Sequence, residues 1–376
     1  MYERGASRTR RTMTATTRLM RALQLDGVLL VALISVGLFG LFVLYSAAGD
    51  NTALWFSQLA RFGIGVAVMI ALAGVPDHFL RMLAPAAFLL GLVLLAMVAV
   101  AGDVGKGAQR WLDIGIVRFQ PSEIMKLAVP MMCAWYLHQR PLPPSLRDVI
   151  VVLLMILVPV LLIAEQPDLG TAVLVAAAGL FVLVLGGLSP VYLLTGVAVV
   201  GAAIPLVWSQ LHDYQRQRVL TLLDPQSDAL GAGYHIIQSQ IAIGSGGMFG
   251  KGWTNGSQAQ LEFLPERSTD FIFAVIGEEL GLLGLVALLA AYLFIVARGL
   301  YMASQCRDAF TRLLSGSIAL TFFVYVFVNA GMVTGLLPVV GVPLPLVSYG
   351  GTSLVTLLAG FGILMSLYSS RKLLGS

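Results

Sequence analysis

The chain reads as an all-α polytopic integral membrane protein of about ten transmembrane helices, with a long exoplasmic loop between helices 7 and 8. Three observations predict this. Hydrophobic residues make up 58% of the 376 residues and charged ones only 11%, with a mean hydropathy of +0.89. Apolar runs of about 17 to 25 residues follow one another nearly end to end, and at about 1.5 Å per residue each can cross a hydrocarbon layer of roughly 30 Å. Of the 23 cations, fourteen fall at alternate ends of these runs, the excess that the positive-inside bias predicts.

Taken in order, residues 1–25 form a tail carrying Arg4, Arg8, Arg10, Arg11, Arg18 and Arg21. No small-residue cleavage pattern follows an apolar core there, so the tail reads as cytoplasmic and not as a signal peptide. Residues 26–370 form the membrane domain, with spans expected at 26–48, 58–74, 79–101, 122–138, 148–164, 171–187, 190–209, 270–297, 309–336 and 345–369. The fourth is interrupted by Glu123 and Lys126; the sixth and seventh are separated only by Gly186–Pro190. Residues 371–376 return to the cytoplasm. This threading puts fourteen of the 23 Lys and Arg on the cytoplasmic side, so the pI near 9.1 expresses topology and says nothing of nucleic acid. Cys133 lies inside a span and Cys306 in a cytoplasmic loop, which excludes a disulfide between them, and the four histidines show no metal-ligand spacing.

Nine cations remain at or near the exoplasmic surface: Arg61, Lys106, Arg110, Arg118, Lys126, Arg216, Arg218, Lys251 and Arg267. An anionic partner such as phosphate or pyrophosphate accounts for them; tolerance of charge in long loops is the competing account. Two exoplasmic connections are long, about 102–121 and about 210–269. In the first, Trp111, Ile114, Ile116 and Phe119 alternate with charge, which suits a segment lying along the interface. Pro121-Ser122-Glu123 then starts the fourth helix, with Glu123 and Lys126 one turn apart on one face.

In the second loop, Tyr234–Ile243 has helical apolar spacing with Gln238 on its polar side, the pattern of an interfacial or re-entrant helix. The glycine-rich run Gly244–Trp253 lacks the residues of a nucleotide-binding loop, so no nucleotide is expected. Lys251 there either faces an anion or sits in a flexible hinge. Further on, Pro338, Pro343 and Pro345 precede Ser348–Ser353, a run that breaks a helix within the membrane. It either lines a cavity or makes a packing kink.

The stretch Leu264–Asp270 sets three charges at the mouth of the eighth span. Asp270, beside Arg267, suits a general base at a water–lipid boundary, and it also suits a helix N-cap. Glu278 and Glu279, deeper in the span, fit a proton relay or a paired structural role, and Asp168 either caps a helix or helps hold a divalent cation. No ATP is available on the exoplasmic side. A synthetic reaction there needs a donor that arrives already activated, such as a lipid pyrophosphate-linked sugar.

The stretches Lys106–Lys126, Gln166–Thr171, Asp213–Arg218, Gly231–Gln238, Leu264–Phe273 and Pro343–Gly351 resemble the SEDS family over residues from about 25 to the end, and its cell-elongation branch more than its division branch. The resemblance implies a multi-pass inner-membrane peptidoglycan glycosyltransferase, both termini cytoplasmic, that polymerises lipid II into β-1,4 glycan strands. It implies work beside a class B penicillin-binding protein of the PBP2 transpeptidase type, within the elongation machinery that maintains rod shape. Asp270 matches the family's catalytic aspartate, and Glu123 with Lys126 a functionally important pair. A divalent cation, Mg or Mn, is expected on the same ground alone. Arg110, Lys126, Arg216, Arg218, Gln238, Lys251 and Arg267 are the candidates for binding substrate, with Glu123 orienting Lys126 or a metal. A lipid II flippase and a non-catalytic activator of the penicillin-binding protein are the alternatives.

Overall fold

The computed structural model describes residues 25–373 apart from positions 50, 106–107, 114–117, 211–212, 229–230, 262 and 265. The Arg-rich tail up to residue 24, Lys106 and residues 374–376 lie outside the described residues, as does the side chain of Arg118.

Ten helices of 17 residues or more build the bundle among the described residues: α1 Gly27–Ala48, α2 Thr52–Ala73, α3 Asp77–Ala101, α4 Pro121–Leu137, α5 Leu146–Glu165, α6 Leu169–Leu185, α7 Pro190–Gln210 and, after a region of shorter elements, α11 Ile272–Ser304, α12 Ala309–Val333 and α13 Gly351–Leu373. The shorter elements are α8 Asp213–Leu223, a 3-10 turn at Pro225–Asp228, α9 Ala232–Gly246 and α10 Ser257–Gln260. Each expected span falls on one long helix. Seven of them, α1, α2, α3, α5, α11, α12 and α13, are long and apolar enough to cross a membrane; α6 and α7 are apolar but shorter in that respect, and α4 carries an ion pair. The chain is a multi-pass membrane protein.

Local chemistry sets the helix starts. Asp26, Asn51, Asp168 and Asp308 each accept a backbone N–H of the helix they precede, and Ser145 with Asp148 makes a reciprocal capping box on α5. Because Asn51 caps α2, that helix begins at Thr52, ahead of the expected 58. Most of α12 is buried by its neighbours, whereas α7 stands at the edge with nearly every side chain exposed.

Three segments depart from the sequence reading. The 102–121 connection contains a three-stranded antiparallel sheet, β1 Asp103–Gly105, β2 Ala108–Asp113 and β3 Arg118–Phe119, in the order β1-β2-β3 with Leu112 opposite Phe119. Ala108–Asp113 pairs with β1 on one side and β3 on the other, although its sequence lacks the strict polar–apolar alternation of a half-buried strand. The helix expected over Tyr234–Ile243 exists as α9, but it buries Ile236, Ser239 and Ala242, and the Ser239 hydroxyl donates to Val333 O on α12 at 2.7 Å. It is packed into the protein along that face.

The last helix starts at Gly351, six residues beyond the expected 345, because Pro343 and Pro345 have no N–H to give a helix. Residues 338–350 are irregular yet largely buried, with Val342, Leu344, Leu346 and Val347 at 4% exposure or less. Their freed backbone groups are bonded to the bundle. Asn329 Nδ2 donates to Val342 O, the Tyr292 hydroxyl to Pro345 O, and Gln58 Nε2 to Ser348 O. Irregular backbone at membrane depth is tolerated on that condition.

The glycine-rich run Gly244–Trp253 is docked, not a free hinge. Helix α11 kinks at Gly281, whose φ of 67° and ψ of −166° are accessible essentially to glycine alone. Lys251 N–H and Gly252 N–H donate to the carbonyls of Glu278 and Glu279, while Leu282 and Leu283 N–H donate back to Gly247 and Met248. A Cβ on Gly281 would stand 2.3 Å from Gly250 N, so the loop closes on the kink only because that atom is missing.

Candidate active site

A cavity of about 140 Å³ opens where β2, the starts of α4, α6 and α13, and residues 341–343 meet. Arg110, Gln120, Glu123, Lys126, Asp168, Thr352 and Ser353 face it. Pro121 at the first position of α4 fixes the entry of that helix, which sets Glu123 in its first turn and Lys126 one turn on. Lys126 Nζ lies 2.7 Å from Glu123 Oε1, with 5% and 4% of the two side chains exposed. The ammonium also stands 5.2 Å from the centre of the Tyr325 ring. Glu123 Oε2, equally buried, has no hydrogen-bond partner.

Asp168 caps α6 through Thr171 N–H and accepts from Gln120 Nε2 at 2.6 Å. Arg110 Nε donates to Gln166 O at 3.1 Å, its Nη2 donates to Pro167 O, and Nη1 lies 3.9 Å from Asp168 Oδ1. Backbone carbonyls thus hold the guanidinium at the cavity wall.

Asp270 sits in a turn over 266–271, ahead of α11. The cap position of that helix is Phe271, one residue beyond Asp270, and the Phe271 side chain makes no capping bond. The turn is pinned to the irregular 338–350 segment and to α12: Tyr349 N–H donates to Ser268 O at 2.7 Å, the Ser348 hydroxyl to Thr269 O at 2.5 Å, and Asn329 Nδ2 of α12 to Asp270 O at 2.9 Å. A Cβ built on Gly341, which lines the cavity, would stand 3.5 Å from Asp270 Oδ2. The Asp270 carboxylate therefore lies at the cavity edge.

Of the residues singled out in sequence, the structure gathers Arg110, Glu123, Lys126 and Asp168 in the cavity lining, with Asp270 at its edge. Arg216 instead turns back on α7, donating to Trp208 O at 3.0 Å and Ser209 O at 2.8 Å, an arrangement that satisfies carbonyls at a helix end. Lys251 bonds Glu278 Oε1 at 2.7 Å, an oxygen that also accepts from the Ser257 hydroxyl and Gln258 N–H. The neighbouring Glu279 accepts from the Ser46 hydroxyl at 2.5 Å. Both glutamates thus have fixed structural partners, in keeping with the paired reading. Arg218 on α8, Gln238 on α9 and Arg267 near Gly49 do not line the cavity.

Gln120, Thr352, Ser353 and Tyr325 escaped sequence reasoning as site residues. Only the Ser348–Ser353 run gave a signal, as a helix break. His235 stacks on Phe271 next to Asp270, with ring centres 5.4 Å apart, and burial holds its pKa below the ordinary imidazole value.

For a divalent cation the fit is partial but chemically sound. Among the described residues no three His, Cys, Asp or Glu side chains are gathered as a metal cluster. What the cavity holds is one buried carboxylate oxygen without a partner, Glu123 Oε2, and Asp168 on the same wall. Magnesium is commonly bound in this way, through one or two carboxylates with phosphate oxygens and water completing the shell.

Comparison with known proteins decides the family. Residues 25–373 match the cell cycle protein family FTSW_RODA_SPOVE. The chain belongs to this family. It is 54% identical over 353 residues to the peptidoglycan glycosyltransferase MrdB of Escherichia coli K12, covering 93% of this chain and 95% of that protein. It is 36% identical to the probable peptidoglycan glycosyltransferase FtsW of Geobacter metallireducens, over 92% and 95% of the two chains. The fold matches a chain of a peptidoglycan synthase complex described for coordination of polymerization and crosslinking, with a TM-score of 0.82 at 34% identity over 92% and 98%. It also matches the rod shape determining protein RodA of Thermus thermophilus, with a TM-score of 0.70 at 30% identity over 92% and 97%. The SEDS resemblance and its elongation branch are borne out by these relatives.

Proposed function

We propose that this chain is a peptidoglycan glycosyltransferase that polymerises lipid II into β-1,4 glycan strands at the periplasmic face of the bacterial inner membrane, during elongation and rod-shape maintenance. The observation that carries the reading is the placement of the Asp270 carboxylate at the edge of a cavity floored by the buried Glu123–Lys126 pair. Asp270 takes the proton of the acceptor sugar's 4-hydroxyl as that oxygen attacks the anomeric carbon of the lipid-linked donor. The bond from that carbon to the diphosphate breaks, and undecaprenyl diphosphate leaves with the electron pair. One displacement inverts the anomeric centre, so a single base suffices and no covalent glycosyl-enzyme forms.

Arg110 and Lys126 face the departing charge, and Glu123 fixes Lys126. Glu123 and Asp168 are the residues that would hold a Mg or Mn ion, whose chemistry there is neutralisation of the diphosphate. In the cell the partners are the growing glycan strand, membrane lipids and a class B penicillin-binding protein that cross-links the product, with both termini of this chain in the cytoplasm.

The test is polymerisation of purified lipid II by the detergent-solubilised protein, read as a glycan ladder on a gel. Asp270→Asn should lower the rate by about a hundredfold or more, the range for loss of a general base, while leaving the far-UV circular dichroism unchanged. An Asn variant as active as the parent would refute the assignment. Detergent removes sidedness, so a flippase or a mere activator would give no ladder at all.

A further inference from the structure

Four helices begin at or beside this cavity, and three bring a carboxylate with them. Glu123 lies in the first turn of α4, Asp168 caps α6, and Asp270 precedes α11. Each acid stands at the positive end of its helix, where a negative charge is favoured. Helix α13 is the exception. Its first turn carries no acidic residue and presents Gly351, Thr352 and Ser353 to the cavity. The first N–H groups of a 23-residue helix have no acceptor within the helix itself.

A cation also stands at this uncompensated positive end. The Arg61 guanidinium carbon lies 3.8 Å from where a Gly351 Cβ would be, and it stacks on the Tyr349 ring at 4.7 Å. Among the described residues no carboxylate pairs with Arg61. A cation beside a helix N-terminus is electrostatically unfavourable unless an anion joins them. A second and independent sign of a missing ligand lies in the lining of the same cavity: Glu123, with a side chain 4% exposed, has in Oε2 a strong acceptor with nothing bonded to it.

We infer that the N-terminus of α13 is the seat of the donor's diphosphate. Phosphate oxygens accept the first-turn N–H groups and the Thr352 hydroxyl, with Arg61 on one side and Lys126 on the other. The arrangement is that of anion binding at helix starts, here inside a protein cavity where such bonds are strong. Glu123 Oε2 meets the positive or donating group that accompanies the diphosphate. The inference rests on the proposed function for the identity of the ligand, though the seat itself is a property of α13.

The experiment measures binding of inorganic diphosphate to the detergent-solubilised full chain by titration calorimetry, in magnesium buffer. Thr352→Pro deletes one first-turn N–H that no bond within the helix uses. Thr352→Val deletes the hydroxyl and keeps the shape. The proline variant should weaken binding about ten- to a hundredfold, the range for a hydrogen bond to a charged group, with unchanged thermal stability. Arg61→Gln and Thr352→Val should each weaken it severalfold.

If the proline variant unfolds early, the other two decide. Affinities of both within twofold of the parent overturn the seat, as does a parent that binds no diphosphate. Lipid II polymerisation by the parent separates the two claims: no glycan with α13-dependent diphosphate binding removes the polymerase reading and keeps the seat, whereas glycan formation with unaltered binding in the variants removes the seat alone.

Discussion

Replacing Lys126 by Met tests whether the cavity floor is an interdependent ion pair. The change deletes an ammonium 2.7 Å from Glu123 Oε1 while keeping an unbranched apolar stem, and the two side chains are only 5% and 4% exposed. Glu123 Oε2 already lacks a partner, so the variant leaves both oxygens of a buried carboxylate unsatisfied. Removing one half of a buried pair costs about 3–5 kcal/mol, against roughly 0–1 kcal/mol for an exposed pair. The contact of Lys126 with the Tyr325 ring is lost too, which moves the expectation toward the upper figure. In the double variant Glu123→Gln with Lys126→Met no charge is left behind, and most of the loss should be recovered, leaving a coupling of about 2 kcal/mol or more between the two sites. The assay is unfolding by sodium dodecyl sulfate in mixed micelles, followed by far-UV circular dichroism. A Lys126→Met variant within about 1 kcal/mol of the parent would show the pair to be solvated as an exposed one is. A double variant as costly as the sum of its singles would show that the two ions do not depend on each other.

Two further outcomes are expected. Gly281→Ala puts a side chain into a conformation that costs about 1–3 kcal/mol for residues other than glycine, and its Cβ meets Gly250 N, so the docked loop should open. Amide exchange at Lys251 and Gly252 should then speed up about tenfold or more while α12 keeps its protection; unchanged exchange would show that the kink does not hold the loop. For His235 the sign follows from its lowered pKa: the unfolded chain takes up a proton below the ordinary imidazole pKa of about 6.5 that the folded site resists. Stability from this group is complete above that pH and is lost as the pH falls toward the folded value. His235→Gln should flatten the stability profile between about pH 7 and 5, and an identical slope in the variant would remove His235 as its source.

The spans were legible because length and hydropathy alone decide whether a helix can cross a membrane, and every expected run falls on a long helix. Asp270 was legible because charge is rare enough here that three charges within Leu264–Asp270 stand out. The walls of the cavity were not. Arg110 reaches it through a sheet whose pairing joins residues in register and not by helical period, and it is held by the carbonyls of Gln166 and Pro167 about 56 residues away. Arg216 and Lys251 look alike as sequence, two cations in a long loop. One folds back on the carbonyls of Trp208 and Ser209; the other is taken by Glu278, 27 residues on. Nothing local distinguishes a cation awaiting a ligand from one that already has an acceptor.

The irregular 338–350 segment explains why Asp270 lies where it does. A regular helix through these residues would use its own N–H and C=O groups internally, leaving none for the turn at 266–271. Prolines at 343 and 345 prevent that: the freed Tyr349 N–H donates to Ser268 O and the freed Val342 O accepts from Asn329 of α12, which also donates to Asp270 O, while the Ser348 hydroxyl donates to Thr269 O. Three consecutive carbonyls, those of Ser268, Thr269 and Asp270, are thereby fixed against the strand of chain that carries Gly341 and leads into α13. The same segment lines the cavity and positions the carboxylate at its edge. Breaking the helix inside the membrane thus joins the start of α13 to the turn that carries Asp270.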